Sequence, residues 1–270
     1  MRHLTLTLLA TAALAVAPTA ASAQSGAQIP EPGPILTHIG KTPRVELWDG
    51  GGGLPYLGAA NSYNAGDWEH ALRRYHDDGV YEKQIAKVDA VAAKWLRRGK
   101  AKRVRVRGKP LHLPAARRHR SARKTAIVFD VDETALSNYS AIDADNFTFG
   151  TNSQQEAQNE VGTAIKPSLA LYQLARRRGV ATFFITGRRE STRAHTDSNL
   201  KREGFTSYTR LVLKPEAFTG STVDYKAGAR KAIEDEGYRI VASVGDQYSD
   251  LAGGHEDVAF KLPNPFYFLP

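Results

Sequence analysis

The chain has 270 residues, room for one large domain or two small ones, and its hydrophobic share of 41% is a little low, as for a globular domain with solvated extensions. It has no cysteine, which excludes disulfides, thiolate metal sites and a lipid-modified cysteine. The net charge is +9, but fourteen of the 37 Lys and Arg fall between residues 94 and 124 without one acid, so the remainder carries −5.

Arg2 and His3 precede an apolar run over residues 4–16, and Ala21-Ser22-Ala23 is a small-residue cleavage site. This predicts a secretory signal peptide over residues 1–23, cleaved after Ala23, and a secreted protein (extracellular, cell wall or periplasmic). The run is too short to span a bilayer comfortably and no other stretch reaches ~18 apolar residues, so no membrane anchor is expected.

Residues 24–66 are rich in Pro and Gly, with four glycines at 50–53, and predict an extended arm. Asp67 reads as a helix N-cap. Trp68, Leu72, Tyr75, Val80, Ile85, Val88, Val91, Ala92, Trp95 and Leu96 then recur at near-helical spacing, as in two helices broken near Gly79. In the basic stretch that follows, Val104 and Val106 alternate with arginines, the pattern of a short edge hairpin. Residues 67–122 thus form a helical extension and basic linker before a core over 123–270. The plainer reading of 94–124 is a solvated linker; the other is a weak contact for an anionic polymer.

Residues 126–129 are all apolar and run into Asp130, with Asp132, Glu133 and Thr134 behind it. Such a run before an acid reads as a buried parallel strand, and open α/β sheets bind ligands at that end. Residues i and i+2 of an extended segment point the same way, so Asp130 and Asp132 share a pocket. Their repulsion calls for a divalent cation with oxygen ligands, as Mg2+ prefers. One carboxylate is then placed to attack phosphorus and the other to move protons. Taken singly, Asp132 or Glu133 is ordinary at a helix N-terminus.

A polar insertion over about 138–165 follows, where a cap would sit over the pocket. Its rings, Tyr139, Phe147 and Phe149, either stack on a substrate ring or pack the cap's own small core. Beyond it, strands at 180–186, 208–213, 240–244 and 258–262 alternate with helices at 166–178, 189–203 and 224–236. This predicts an α/β fold: a doubly wound, Rossmann-like parallel sheet with helices on both faces. Thr186, followed by Gly187 and Arg188, ends one strand where a hydroxyl before a helix N-terminus meets a phosphoryl oxygen. Asp246 and Asp250 stand after another, Asp246 completing a carboxylate set and Asp250 supporting it. A lysine is needed to offset this charge, and spacing leaves Lys214 and Lys226 open. The tail, 263–270, is expected as coil on the domain surface.

FDVDETALSN, FFITGRRESTR, VDYKAGARKAIEDEGYRIVASVGDQYSD and LPNPFY together resemble the haloacid dehalogenase superfamily, most closely its subfamily IIIB of secreted acid phosphatases. That group includes bacterial class C nonspecific acid phosphatases and plant vegetative storage proteins. The resemblance covers residues 123–267. It implies Asp130 as nucleophile and Asp132 as general acid/base, and it favours Lys226, which with Thr186 would bind the phosphoryl group, beside Gly187 and Arg188. It also implies Mg2+ on Asp130, the Asp132 backbone carbonyl and Asp246, with Asp250 as a fourth acid. The implied substrates are small phosphomonoesters, nucleotides among them, with no specific nucleic acid. A storage or anion-binding protein on the same fold is the alternative.

Overall fold

The computed structural model describes residues 46–49, 65–98, 104–106, 109–111, 124–148 and 160–269. The expected signal peptide with its cleavage site, most of the expected arm, and Phe149 lie outside the described residues. Among the described residues no helix is long and apolar enough to cross a membrane.

In chain order the first half comprises β1 (Glu46–Asp49), α1 (Ala65–Asp77), α2 (Val80–Arg98), β2 (Val104–Val106), β3 (Lys109–Leu111), β4 (Lys124–Phe129), β5 (Leu136–Ser137), α3 (Tyr139–Ala144) and β6 (Thr163–Ala164). The second half comprises α4 (Lys166–Arg177), β7 (Ala181–Arg189), a 3-10 turn (Glu190–Thr192), α5 (Arg193–Arg202), β8 (Arg210–Lys214), α6 (Thr222–Asp235), β9 (Tyr238–Gly245), α7 (Tyr248–Leu251) and β10 (Val258–Lys261). Six strands form one sheet in the order β1-β10-β9-β4-β7-β8, every neighbouring pair parallel. The expected doubly wound α/β sheet is therefore observed.

β4 lies between β9 and β7, which is why its apolar run is continuous. Ala126 and Val128 face Tyr225 and Ile233 of α6. Ile127 and Phe129 join the larger core with Ile85 and Val88 of α2 and Tyr172 of α4. All four are buried, each side chain of Val, Ile or Phe size stabilising the fold by roughly 1.5–3 kcal/mol. The order of strand addition reverses about β4: β7 and β8 step to one side, β9 and β10 to the other. A crevice at the carboxyl ends of β4 and β9 follows from that reversal.

Several expectations need correction. The arm is not wholly outside the fold, since β1 pairs with β10. α1 starts at Ala65, so Asp67 lies within the first turn, where it complements the helix dipole. Trp68 stays 38% exposed, off the core face. Gly79, at φ +69, does break the helix pair, in a left-handed position that costs glycine little. β2 and β3 pair as an antiparallel hairpin, but as a separate two-stranded sheet and not on the main sheet's edge. β7 continues past Thr186 to Arg189 with an irregularity in its pairing to β8, so no helix N-terminus stands directly behind Thr186. The tail is coil, as expected, but packs inward: Phe266 is buried against Tyr75, Tyr81 and Tyr139. The Phe266 ring buries more apolar area there than the outer surface would allow, while Phe268 stays exposed.

Candidate active site

Three strand ends supply the site. Asp130 follows β4, Thr186 lies within β7, and Asp246 follows β9. The Asp130 amide donates to the Val244 carbonyl at 2.9 Å, continuing the β4–β9 ladder and fixing the backbone under the carboxyl group. The chain then turns at once: the Val131 carbonyl accepts from Ala135 and Leu136, and Glu133 takes φ +49. This tight turn aims the Thr134 hydroxyl at Asp246 Oδ1, 3.1 Å away.

Asp130, Asp246 and Asp250 are all buried, and each offers an oxygen within 4.8 Å of the others. Lys226, in the first turns of α6, places Nζ 2.5 Å from Asp130 Oδ1 and 2.5 Å from Asp250 Oδ1. Ser221 caps α6 by accepting from the Asp224 amide and so sets where that lysine emerges. Asp250 fits because Gly245 has no side chain; a Cβ there would lie 2.5 Å from that of Asp250. Three carboxylates with one directly bonded ammonium leave excess negative charge in a buried pocket. Burial, and next the Asp250 carboxylate, push the Asp130 carboxyl well above its usual range, against the pull of Lys226. Burial and Asp250 likewise push Asp246 up to about 6. Burial disfavours the Lys226 ammonium, but Asp130 and Asp250 outweigh it and keep the lysine protonated.

This donor set fits a hard divalent cation. Every ligand is oxygen, the spacing is short, and the excess charge is negative. Asp246 is also held in place, Oδ2 accepting from Gln247 Nε2 at 2.7 Å and from Asn264 Nδ2 at 2.8 Å.

Asp132 occupies a different environment. Its side chain keeps 28% of its exposure. Oδ1 accepts from Arg188 Nη2 at 2.7 Å, Arg188 Nε at 3.0 Å and Asn138 Nδ2 at 2.8 Å. Burial acts to raise this carboxyl, but the Arg188 guanidinium outweighs it and holds the group below its usual range. Thr186, buried, lies 3.4 Å from Asp132 Oδ2 and accepts from the Arg188 amide at 3.1 Å. The bulge in β7 thus turns Arg188 back onto Asp132 and leaves Gly187 exposed.

The structure brings together Asp130, Asp246, Asp250 and Lys226, with Asp132, Thr186 and Arg188 beside them. Lys214 instead lies 5.5 Å over the Phe218 ring. The Asp132 carboxylate is bound by Arg188 and is not one of the three clustered acids. Phe147 packs with Tyr139 and Phe266 under the Arg73 guanidinium, which engages its ring in the cap's own core. Sequence reasoning assigned no role to Thr134, Asn138, Arg230, Gln247, Asn264 or Tyr267. Asn138 closes the FDVDETALSN string and Asn264 stands between two prolines, but no periodicity links either to a carboxylate. Arg230, buried, donates to the Asp250, Ala252 and Gly254 carbonyls and shapes the loop after the acids.

Residues 83–270 match the model of the HAD superfamily, subfamily IIIB (acid phosphatase). The chain belongs to this family. The subfamily IIIB chain is 38% identical over 148 residues to Acid phosphatase 1 of Solanum lycopersicum, covering 53% of this chain and 58% of that protein. It is 35% identical over 154 residues to the stem 28 kDa glycoprotein of Glycine max, covering 54% and 61%. Against vegetative storage protein 1 of Arabidopsis thaliana it is 32% identical over 152 residues, covering 53% and 55%. The chain thus spans less than two thirds of the length of these curated relatives. Among solved structures, the class C acid phosphatase from Bacillus anthracis superposes with a TM-score of 0.57 at 17% identity, over 76% of this chain and 86% of that one, a likeness of fold.

Proposed function

We propose that this subfamily IIIB protein is a secreted phosphomonoesterase that works with a divalent cation, best Mg2+, through an aspartyl-phosphate on Asp130. The observation that carries the reading is Lys226 bridging Asp130 and Asp250 in a buried acidic pocket, with Asp132 held separately by Arg188. An Asp130 oxygen attacks phosphorus in line, and the bond from phosphorus to the ester oxygen breaks. The leaving alkoxide takes a proton from Asp132. Asp132 then accepts a proton from water as the water oxygen attacks the same phosphorus, releasing phosphate and restoring Asp130. Lys226 and the Thr186 hydroxyl offset charge on the phosphoryl oxygens. Asp130, Asp246 and the Asp132 carbonyl, with Asp250 behind them, would hold the cation, which would supply further positive charge to the phosphoryl oxygens and favour ionised Asp130. Because Arg188 lowers Asp132, its proton-donating form belongs to acid solution, in keeping with an acid phosphatase. Residues 1–23 support export.

A second reading, a storage protein with weak turnover, is favoured by the relatives that carry storage names. The intact Asp130, Asp132 and Lys226 speak for the enzyme. The deciding assay is turnover of p-nitrophenyl phosphate, nucleotides and sugar phosphates, with EDTA and with Mg2+ restored, for wild type and Asp130→Asn. We expect turnover that EDTA removes, Mg2+ restores and the substitution abolishes with the fold retained. More than a trace in Asp130→Asn overturns the nucleophile; none in wild type leaves the storage reading.

A further inference from the structure

The pole of the domain opposite the acids carries a second polar groove. It holds about 550 Å³ and is lined by Lys124, Thr125, Arg176, Thr182, Ser207 and Thr209, together with backbone near Gly179. These residues lie at or near the amino ends of β4, β7 and β8 and at the end of α4. β4 runs from Lys124 to Phe129, so about 3.3 Å per residue puts roughly 20 Å between this groove and Asp130.

Its charge is distinctive. Among the described residues no carboxylate lines it. Lys124, Arg176, Arg177 and Arg178 are exposed and form no ion pair with a described residue. Elsewhere Arg73, Arg193, Lys201, Arg202, Arg210 and Lys231 each meet a carboxylate, while the exposed Lys83, Lys87 and Lys166 form no ion pair with a described residue and line no such groove. Glu236, the acid just before Tyr238 at the groove's rim, is taken by Arg210. Arg178 Nη2 donates to the Arg97 carbonyl at 3.1 Å, so the ends of α2 and α4 meet at this pole and add exposed Lys94 and Arg97. α2 ends and β4 begins at this pole. Repelling cations gathered at one pole without counter-ions cost stability, and a polyanion that releases counterions on binding offsets that cost.

The lining also says which polyanion. Ammonium, guanidinium and hydroxyl groups suit phosphate oxygens. Tyr238 is the one ring among the lining residues, half-buried and set T-shaped against Phe183 at 5.1 Å, and Tyr172 is buried, so the groove has no series of rings on which successive bases could stack. We infer that this basal groove and its flanking cations are a docking surface for a linear phosphate polymer without bases. Docking there leaves the acidic pocket on the far side open. The inference is independent of the proposed activity.

The test is binding of labelled inorganic polyphosphate to the full chain at 50 and 200 mM salt, with an oligo(dT) arm. The first variant combines Lys124→Ser, Arg176→Ser and Arg177→Ser. The second removes three other exposed cations, Lys83→Ser, Lys87→Ser and Lys166→Ser, and so matches the first in net charge. Thermal melts check folding, and Lys124→Arg with Arg176→Lys and Arg177→Lys tests rescue. We expect the first variant to lose tenfold or more and to have a shallower salt dependence, by about 0.7 in slope for each phosphate that no longer meets a cation. The second and the rescue variant should stay within about threefold of wild type. Equal losses in both charge-matched variants, or none in the first, overturns the groove as the site. Tighter binding of oligo(dT) than of polyphosphate overturns the base-free polymer.

Discussion

The Tyr267 hydroxyl donates to Glu133 Oε2 at 2.6 Å, tying the C-terminal segment to the turn between Asp130 and Leu136. Glu133 is buried, and its Oε1 accepts from the Asn138 amide at 2.7 Å. Three residues before Tyr267, Asn264 grips Asp246. The tail is therefore part of the wall that sets carboxylate positions. Tyr267→Phe should lower Tm by several degrees, since an unpaired buried acceptor costs roughly 1–3 kcal/mol. Asn264→Ala should weaken Mg2+ binding roughly 10–100-fold by calorimetric titration. Unchanged affinity in that variant would make Asn264 a packing residue only.

Lys226 and Lys214 should separate sharply. Lys226 alone of the two reaches the carboxylates, so Lys226→Ala should cost on the order of 10²-fold in kcat/KM and Lys214→Ala little. The former should also lower Tm, because it leaves Asp130 and Asp250 facing each other uncompensated, and Mg2+ should restore part of that loss. A larger kinetic cost for Lys214→Ala would contradict the geometry.

Phe147 should behave as a packing residue. Its ring meets Phe266 at 6.0 Å and lies 5.4 Å below the Arg73 guanidinium. Phe147→Ala should destabilise the fold by roughly 1–3 kcal/mol in chemical denaturation. Its ratio of kcat/KM for a nucleotide over glycerol phosphate should stay within about twofold of wild type. Base stacking, at ~1–3 kcal/mol, would collapse that ratio instead.

Asp89, on α2 beneath α4, is buried. Its Oδ2 accepts from the Ser168 hydroxyl at 3.0 Å, while Oδ1 has no hydrogen-bond partner. Burial raises it to about 7, against the Ser168 bond. A raised acid favours the folded state in its neutral form, so its stabilisation is complete below about pH 4 and is lost as pH rises through 7. Asp89→Asn keeps an acceptor for Ser168 and removes the titration. It should therefore raise stability at pH 8 by roughly 2–4 kcal/mol relative to its effect at pH 4, measured by denaturant titration. An equal effect at both pH values would place the charge elsewhere.

The sequence by itself determined the strand-helix alternation, because period-2 and period-3.6 patterns are local, and it determined that Asp130 and Asp246 stand just past strand ends, while Thr186 proved to lie within β7. A continuous apolar run needs cover on both faces, so β4 had to be central, and a central parallel strand delivers its next residue to the crevice. The helix break at Gly79 was legible for the same local reason. Residue spacing left Lys214 and Lys226 open, because both stand at element ends; the family resemblance favoured Lys226, and the tertiary structure places Lys226 against the carboxylates. Only the tertiary structure decided that Arg188 turns onto Asp132, since a bulge in strand pairing leaves no periodic trace. The aromatic tail looked like surface coil until Tyr75, Tyr81 and Tyr139 were seen to enclose Phe266. Contacts between residues more than a hundred positions apart, such as Tyr267 with Glu133, arise from packing, and packing is a property of the folded whole.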